Sequence, residues 1–182
     1  MDRIKASSEH QETEDVKEKA KIACLIIVKK FAEDNIFEKD QCKNFLELHL
    51  EEVQDGMLFK IKKFLLPALI SISKHLDYAT FMNKVYQTFK TFTSDEIWGV
   101  RKVCVENMAD LMKHLKFDDI QKLSECVDFF IRCLRDSNRW VKNQALVQFG
   151  PIVHQIYLKD EFKQFNDKYS EGVTDEQKQK SV

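Results

Sequence analysis

The chain repeats itself at an interval of about 40 residues, and this repeat limits its possible folds more than any other sequence feature. Residues 61–65, 100–104 and 141–145 each open with a branched apolar residue followed by a basic one, and their starts lie 39 and 41 residues apart. A fainter fourth copy occupies residues 16–20. A fixed period of this length is typical of repeat proteins in which each copy is one small supersecondary unit.

Each copy shows the periodicity of an amphipathic helix. Apolar residues recur three or four positions apart, so that one stripe of the helix must face a neighbour. These stripes comprise Ile61, Phe64, Leu65, Ala68, Leu69 and Ile72, then Val100, Val103, Cys104, Met108 and Leu111, then Val141, Ala145, Phe149 and Ile152. Residues 41–53, 78–92 and 120–135 have the same period and are predicted as partner helices. The order helix, short turn, helix predicts an all-α solenoid of about four helix pairs, the first of them incomplete.

Composition excludes several other classes of protein. With 4 Gly and 2 Pro, the chain has little material for tight hairpins or Gly-rich phosphate loops, which disfavours β-sandwiches and dinucleotide-binding domains. Its 29 Lys and Arg balance 30 Asp and Glu, so a field that attracts nucleic acid or anionic membranes is missing, and we expect neither partner. The longest apolar runs fall far short of the roughly 20 residues that a membrane span needs. Pro67 and Pro151 fall inside predicted helices, where we expect bends.

The side chains that usually carry chemistry show no pattern typical of a catalytic or metal site. The five cysteines lack paired spacing and indicate reduced thiols, hence a cytoplasmic location with the nucleus as a second one. Three histidines lie near predicted helix ends, 39 and 40 residues apart. We expect them to interact favourably with the dipole at the C-terminal end of each helix rather than to bind a metal. We therefore expect no enzymatic activity, no cofactor and no metal ion. The residues concerned are Cys42, Cys104, Cys126 and Cys133, expected in the core, and His75, His114 and His154.

The turns between paired helices carry the most distinctive residues. Asp95 and Asp136 lie five residues ahead of the aligned valines, and Asp55 lies six ahead of Ile61. Thr93 with Glu three positions later predicts a helix-capping box, and Asp136 with Ser137 predicts a second cap. Trp98 and Trp140 stand at the ends of two turns. We expect them to pack between repeats, with contact to a partner protein as the alternative. Arg139 is expected to pair with Asp136 or with charges on a partner.

Residues 94–104 and 136–145, followed by 149–152, resemble HEAT repeats, in particular those of the HEAT-type regulatory subunits of protein phosphatase 4, which belong to the phosphatase 2A scaffold-like family. The resemblance is specific over residues 94–152. It implies a HEAT/armadillo-type α-solenoid and a non-catalytic subunit that holds a phosphatase 2A-like serine/threonine phosphatase. It also implies that the turns at 54–57, 93–98 and 135–140 touch the partner. The candidate partner-binding residues are Asp55, Asp95, Glu96, Trp98, Arg135, Asp136, Asn138, Arg139 and Trp140.

The expected organisation has four parts. Residues 1–13 form a flexible segment, 14–160 the repeat domain, 161–173 a partial extra helix and 174–182 a flexible tail. Three alternatives remain open. The chain is a HEAT-type adaptor unrelated to phosphatases, or a small helical enzyme or nucleic-acid binder, or a truncated piece of a longer solenoid. The family's subunits are much longer arrays, so a short chain keeps only part of their binding surface.

Overall fold

A computed structural model describes residues 2–50, 59–116 and 119–157, and every regular element in these ranges is helical. The elements are α1 (Asp2–Glu33), α2 (Lys39–Leu50), α3 (Phe59–Ile72), a 3-10 turn (Ser73–His75), α4 (Tyr78–Thr80), a π-helical segment (Phe81–Tyr86), α5 (Gln87–Phe92), α6 (Trp98–Glu106), α7 (Met108–His114), α8 (Ile120–Leu134) and α9 (Arg139–Tyr157). The all-α prediction is confirmed for this part of the chain. The stacking of helix pairs into a solenoid stays a prediction.

The chain divides into two compact units, Met1–Asn107 and Met108–Val182. The boundary falls inside residues 14–160, for which the sequence predicts one repeat domain. Helix α1 includes residues 2–13, the segment that is expected to be flexible, and helical geometry alone does not test that expectation. The predicted extra helix at 161–173 and the tail at 174–182 lie outside the described residues.

In the first unit, α3 packs against both α1 and α6, and α5 packs against α6. The buried face of α3 contains most of the predicted stripe and two residues outside it, Leu66 and Ile70. It consists of Ile61, Leu65, Leu66, Ala68, Leu69, Ile70 and Ile72. Phe64 belongs to the same predicted stripe but is 38% exposed. The faint fourth copy also differs, because Val16 is exposed whereas the aligned Ile61, Val100 and Val141 are buried.

Helix α1 ends through a left-handed residue. Asn35 has a φ of 56°, a conformation that asparagine tolerates better than most side chains do. Its N–H donates to the Ala32 carbonyl at 3.2 Å, and the Ile36 N–H donates to the Phe31 carbonyl at 2.9 Å. This pair of bonds is the Schellman motif, which satisfies carbonyls left open at a helix end. Lys74 fixes the Asn35 side chain by donating to its Oδ1.

The partner helix predicted over residues 78–92 contains a π-helical segment. Helix α4 begins after Asp77, whose Oδ1 accepts from the Thr80 N–H at 2.9 Å. The wider turn that follows, Phe81–Tyr86, buries Phe81, Val85 and Tyr86. Regular α-helical spacing does not anticipate this segment, since a π-turn adds one residue to the repeat of the hydrogen-bond ladder.

The second predicted repeat helix is interrupted at Asn107. Residues 100–111 carry one continuous apolar stripe, yet α6 ends at Glu106 and α7 begins at Met108. The Asn107 side chain donates from Nδ2 to the Val103 carbonyl at 2.9 Å. The Asn107 N–H donates to the same carbonyl at 3.1 Å, and such bonding of a side chain to the preceding turn often bends a helix.

In the second unit, α7 and α8 both pack against α9. The buried residues of α9 are Val141, Ala145 and Ile152. Phe149 was expected beside them, but it is 55% exposed and its ring centroid lies 6.2 Å from that of Phe130. Among the described elements, α7 and α8 cover only part of the circumference of α9, so its buried stripe is narrower than predicted.

Several smaller expectations can be compared with the described residues. Pro67 and Pro151 lie inside α3 and α9 as predicted, and the bends expected there stay predictions. The four cysteines expected in the core are buried, whereas Cys24 is exposed. Burial raises the pKa of the Cys42 thiol. Among the described helices, none combines the length and hydropathy that crossing a membrane requires.

Candidate partner-binding turns

The turns at residues 93–98 and 135–140, called here the first and the second turn, have the same backbone plan. In the first, Asp95 Oδ1 accepts from the Ile97 N–H at 2.9 Å. In the second, Asp136 Oδ1 accepts from the Asn138 N–H at 2.8 Å. Four backbone hydrogen bonds of the first turn also recur in the second, with donor and acceptor both shifted by 41 residues. The corresponding N–H donors are Ser94 and Arg135, Asp95 and Asp136, Val100 and Val141, and Arg101 and Lys142. The aspartate that marks the repeat in the sequence therefore folds each turn by accepting from the backbone two residues ahead.

The first turn is held to α3 by a short ion pair. Lys62 Nζ lies 2.7 Å from Asp95 Oδ2, and the Asp95 side chain is only 10% exposed. The same ammonium lies 5.6 Å from the centroid of the Phe92 ring, within reach of a cation–π attraction. Both carboxylate oxygens of Asp95 are therefore engaged within the chain. Asp95 therefore fixes the backbone of the first turn. Its contact with a partner protein stays a prediction.

Arg101 closes the first turn from the other side. Its guanidinium donates to the carbonyls of Asp95 and Glu96 at 2.9 and 2.8 Å. The capping box predicted at Thr93 and Glu96 is wrong. Helix α6 begins after Ile97, which offers no side-chain cap, and Thr93 Oγ1 donates instead to the Lys90 carbonyl. The helix starts later than predicted because Asp95 directs the backbone through a turn first.

The second turn is closed by its own asparagine. Asn138 Oδ1 accepts from the Trp140 N–H at 2.9 Å, and the Asn138 carbonyl accepts from Val141 and Lys142. These are the bonds of a helix N-cap. The cap predicted at Asp136 and Ser137 is therefore displaced to Asn138, whereas Asp136 shapes the preceding bend.

Both tryptophans are exposed, so neither is the core residue that the sequence predicts, and packing between repeats of different units stays a prediction. Trp98 is 43% and Trp140 is 49% exposed, whereas the neighbouring Val100 and Val141 are buried. The valines occupy the inward positions at the start of each helix, and residues one or two positions earlier point elsewhere on a 3.6-residue helix. The Arg139 guanidinium carbon lies 4.8 Å from the Trp140 ring centroid, so arginine and indole form a stacked pair.

The other predicted site residues divide between surface positions and undescribed ones. Glu96, Arg135 and Arg139 are exposed and Asn138 is partly buried. Asp55 and the whole predicted turn at 54–57 lie outside the described residues. Sequence reasoning missed Ile97, a 40% exposed apolar residue beside Trp98. It also missed Lys62, the ion-pair partner of Asp95. Lys62 holds the same position in the repeat as Arg101 and Lys142, and this shared basic position is the signal that could have identified it.

No metal-binding arrangement accompanies these turns. Among the described residues, no group of three or more His, Cys, Asp or Glu side chains could hold a metal ion. Of the three spaced histidines, His75 ends the 3-10 turn, and its buried Nε2 has no hydrogen-bond partner among the residues that the structure describes. His114 ends α7, and His154 lies in the last turn of α9. The turns offer exposed rings and charges, which suit contact with another protein.

Comparisons of this chain with protein-family models, with curated proteins and with solved structures find no match.

Proposed function

We propose that the chain is a non-catalytic binding scaffold of HEAT-type repeats, whose turns contact a phosphatase 2A-like serine/threonine phosphatase of the protein phosphatase 4 type. The single observation that carries the proposal is the repeated turn. The aspartate bond and four backbone bonds of the first turn recur 41 residues later, and an exposed tryptophan lies at the start of the helix that follows each turn.

The turns have the physical properties of interaction hot spots. An exposed indole brings a large rigid surface, and its loss from a partner interface commonly costs more than 1 kcal/mol. The backbone around each indole is fixed by side-chain hydrogen bonds before a partner arrives, which lowers the entropy lost on binding. Arg139 on Trp140 adds a charge whose position is already defined.

The identity of the partner rests on the sequence resemblance at residues 94–104 and 136–152. The second candidate function, a HEAT-type adaptor unrelated to phosphatases, has the same support from the turn geometry. The two differ only in the partner that the turns recognise, so a direct binding measurement separates them.

The test mixes the full chain with purified catalytic subunits of protein phosphatases 4 and 2A and measures complex formation by light scattering after gel filtration. We expect a complex with at least one of them, and about tenfold weaker binding for Trp98→Ala and for Trp140→Ala. Lys84→Ala, a change of an exposed side chain away from both turns, is the control and should bind normally.

Two results would count against the proposal. If the folded chain binds neither catalytic subunit, the phosphatase assignment is wrong and the adaptor function is favoured. If a complex forms but both tryptophan variants bind as tightly as the unaltered chain, the turns are not the contact surface.

A further inference from the structure

The first unit contains an open groove that the proposed function does not use. It is formed by residues of α1, α3 and α6 and has a volume of about 320 Å³. Its apolar lining residues are Leu25, Ile26, Phe64, Pro67 and Val103. Ile26 is 50% and Phe64 38% exposed, so large apolar side chains face water here without a covering element among the described residues. Burial of such surface is the main source of binding free energy in recessed sites.

The proline in α3 removes one backbone hydrogen bond from the helix beside the groove. Pro67 has no N–H, so it cannot donate to the carbonyl of Lys63 one turn earlier. Both residues line the groove. The groove therefore lies beside a helical residue whose carbonyl lacks its usual donor.

Among the described residues, two of the three charged residues at the rim of the groove have ion-pair partners and the third has none. Two rim residues have partners on their own helices, because Lys29 pairs with Glu33 at 3.7 Å and Glu106 with Lys102 at 3.3 Å. Lys63 is the third charged residue of the lining, and it pairs with no carboxylate in the part of the chain that the structure describes. Its side chain runs past Gly99, with Cδ 3.8 Å from the point where a Cβ would stand. Lys63 therefore lies beside the apolar lining residues of the groove.

We propose that this groove binds a short segment of a partner protein in which apolar side chains are flanked by an aspartate or glutamate. The apolar side chains would cover Ile26, Phe64 and Pro67, and the carboxylate would pair with Lys63. Charge complementarity selects this occupant. A basic segment would meet Lys63 with like charge, and an uncharged one would leave it partly desolvated and unpaired. The site goes beyond the proposed function because it lies on helix faces rather than on the turns.

The test selects a displayed library of random short peptides on the full chain and measures the enriched peptides by fluorescence anisotropy. We expect enriched sequences that combine adjacent apolar residues with a neighbouring acid. Lys63→Glu should weaken their binding about tenfold and should favour versions in which the acid is replaced by lysine. Phe64→Ala should weaken both versions, and added salt should reduce the difference between them. Lys142→Glu, the same change at an exposed lysine of α9, is the matched control.

The proposal is overturned if no peptide is enriched, if enriched peptides lack an acid, or if Lys63→Glu and Phe64→Ala bind them as the unaltered chain does. Circular dichroism of the variants confirms folding, which partly exposed positions should tolerate. The groove and the turns are separable: Trp98→Ala should keep peptide binding, and Lys63→Glu should keep phosphatase binding. Either proposal can therefore fail while the other stands.

Discussion

The first and second turns share a backbone plan but are stabilised by different partners. In the first, Asp95 is tied to α3 by Lys62, and Arg101 binds two carbonyls of the turn. In the second, Asn138 caps the following helix from within the turn. The comparison teaches that the repeated aspartate makes the same backbone bond in both copies, whereas the other side chains that bind each turn differ. The first turn thus has a tertiary ion pair, and the second has a cap from its own sequence.

The largest difference should follow removal of Asp95. Asp95→Ala breaks a largely buried ion pair and removes the acceptor for the Ile97 N–H, so we expect a loss of about 2 kcal/mol in the free energy of unfolding. Asp95→Asn keeps an acceptor oxygen and should lose less. Urea denaturation followed by circular dichroism measures both.

The control for this change is Glu96→Ala, an exposed neighbouring carboxylate, which should alter stability by less than about 0.5 kcal/mol. Thiol labelling localises the effect, because the buried Cys104 follows the first turn and the buried Cys133 precedes the second. Asp95→Ala should accelerate labelling of Cys104 more than that of Cys133. Equal acceleration of both would show that the two turns are not independently stabilised.

The second turn should respond most to loss of its cap. Asn138→Ala removes the acceptor for the Trp140 N–H and should cost about 1 kcal/mol. Thermal unfolding measures the change, and Asn143→Ala, at an exposed position within α9, is the control. An unchanged melting temperature for Asn138→Ala would mean that the cap contributes nothing and that the second turn also depends on contacts elsewhere.

The missing cap of the first turn can be supplied. Ile97→Asn places at the start of α6 the residue that caps α9, and we expect a gain of about 0.5 kcal/mol. Ile97→Ala removes the same exposed side chain without adding a cap and is the matched control. If Ile97→Asn is no more stable than Ile97→Ala, Arg101 already satisfies the turn.

The smallest effect should be a response of the first unit to alkaline pH. Burial raises the pKa of the Cys42 thiol above its ordinary value of 9.0, so the unfolded chain loses this proton first and stability falls as pH rises past that value. The carboxylate of Glu18, by hydrogen bond and charge, raises the pKa of Lys60 above 10.5, and the stability from that pair is lost at still higher pH.

Urea midpoints at about pH 8 and about pH 10 measure this slope. Cys42→Ala lowers stability at both values because it leaves a cavity, but it should reduce the fall between them. A fall as steep as that of the unaltered chain would show that other groups cause the alkaline response.

The elements of this fold were largely predictable, and the exceptions have local causes. Residues 78–92 and 120–135 are helical over almost their predicted spans, because apolar periodicity reports directly which face is buried. The break at Asn107 and the π-helical segment Phe81–Tyr86 were not predicted. Each depends on a hydrogen-bond choice that the hydrophobic pattern does not encode.

The candidate site was predicted in position but not in detail. The turns containing Asp95 and Asp136 lie where the repeat places them, and the exposure of Trp98 and Trp140 was predicted wrongly. Their inward or outward direction depends on where each helix starts. A shift of one residue rotates a side chain by about 100° around the helix axis, and the start was set by Asx turns rather than by the predicted caps.

The sequence by itself determined the helical character, the period of about 40 residues and the aspartates that bend the chain, since these follow from local periodicity and from short-range hydrogen bonds. The tertiary structure alone decided that Lys62 pairs with Asp95, that Phe64 and Ile26 line an open groove, and that Lys63 stands at its rim. These contacts and the groove bring together residues that are far apart in the chain, and the distances between those residues depend on how the helices of the first unit pack.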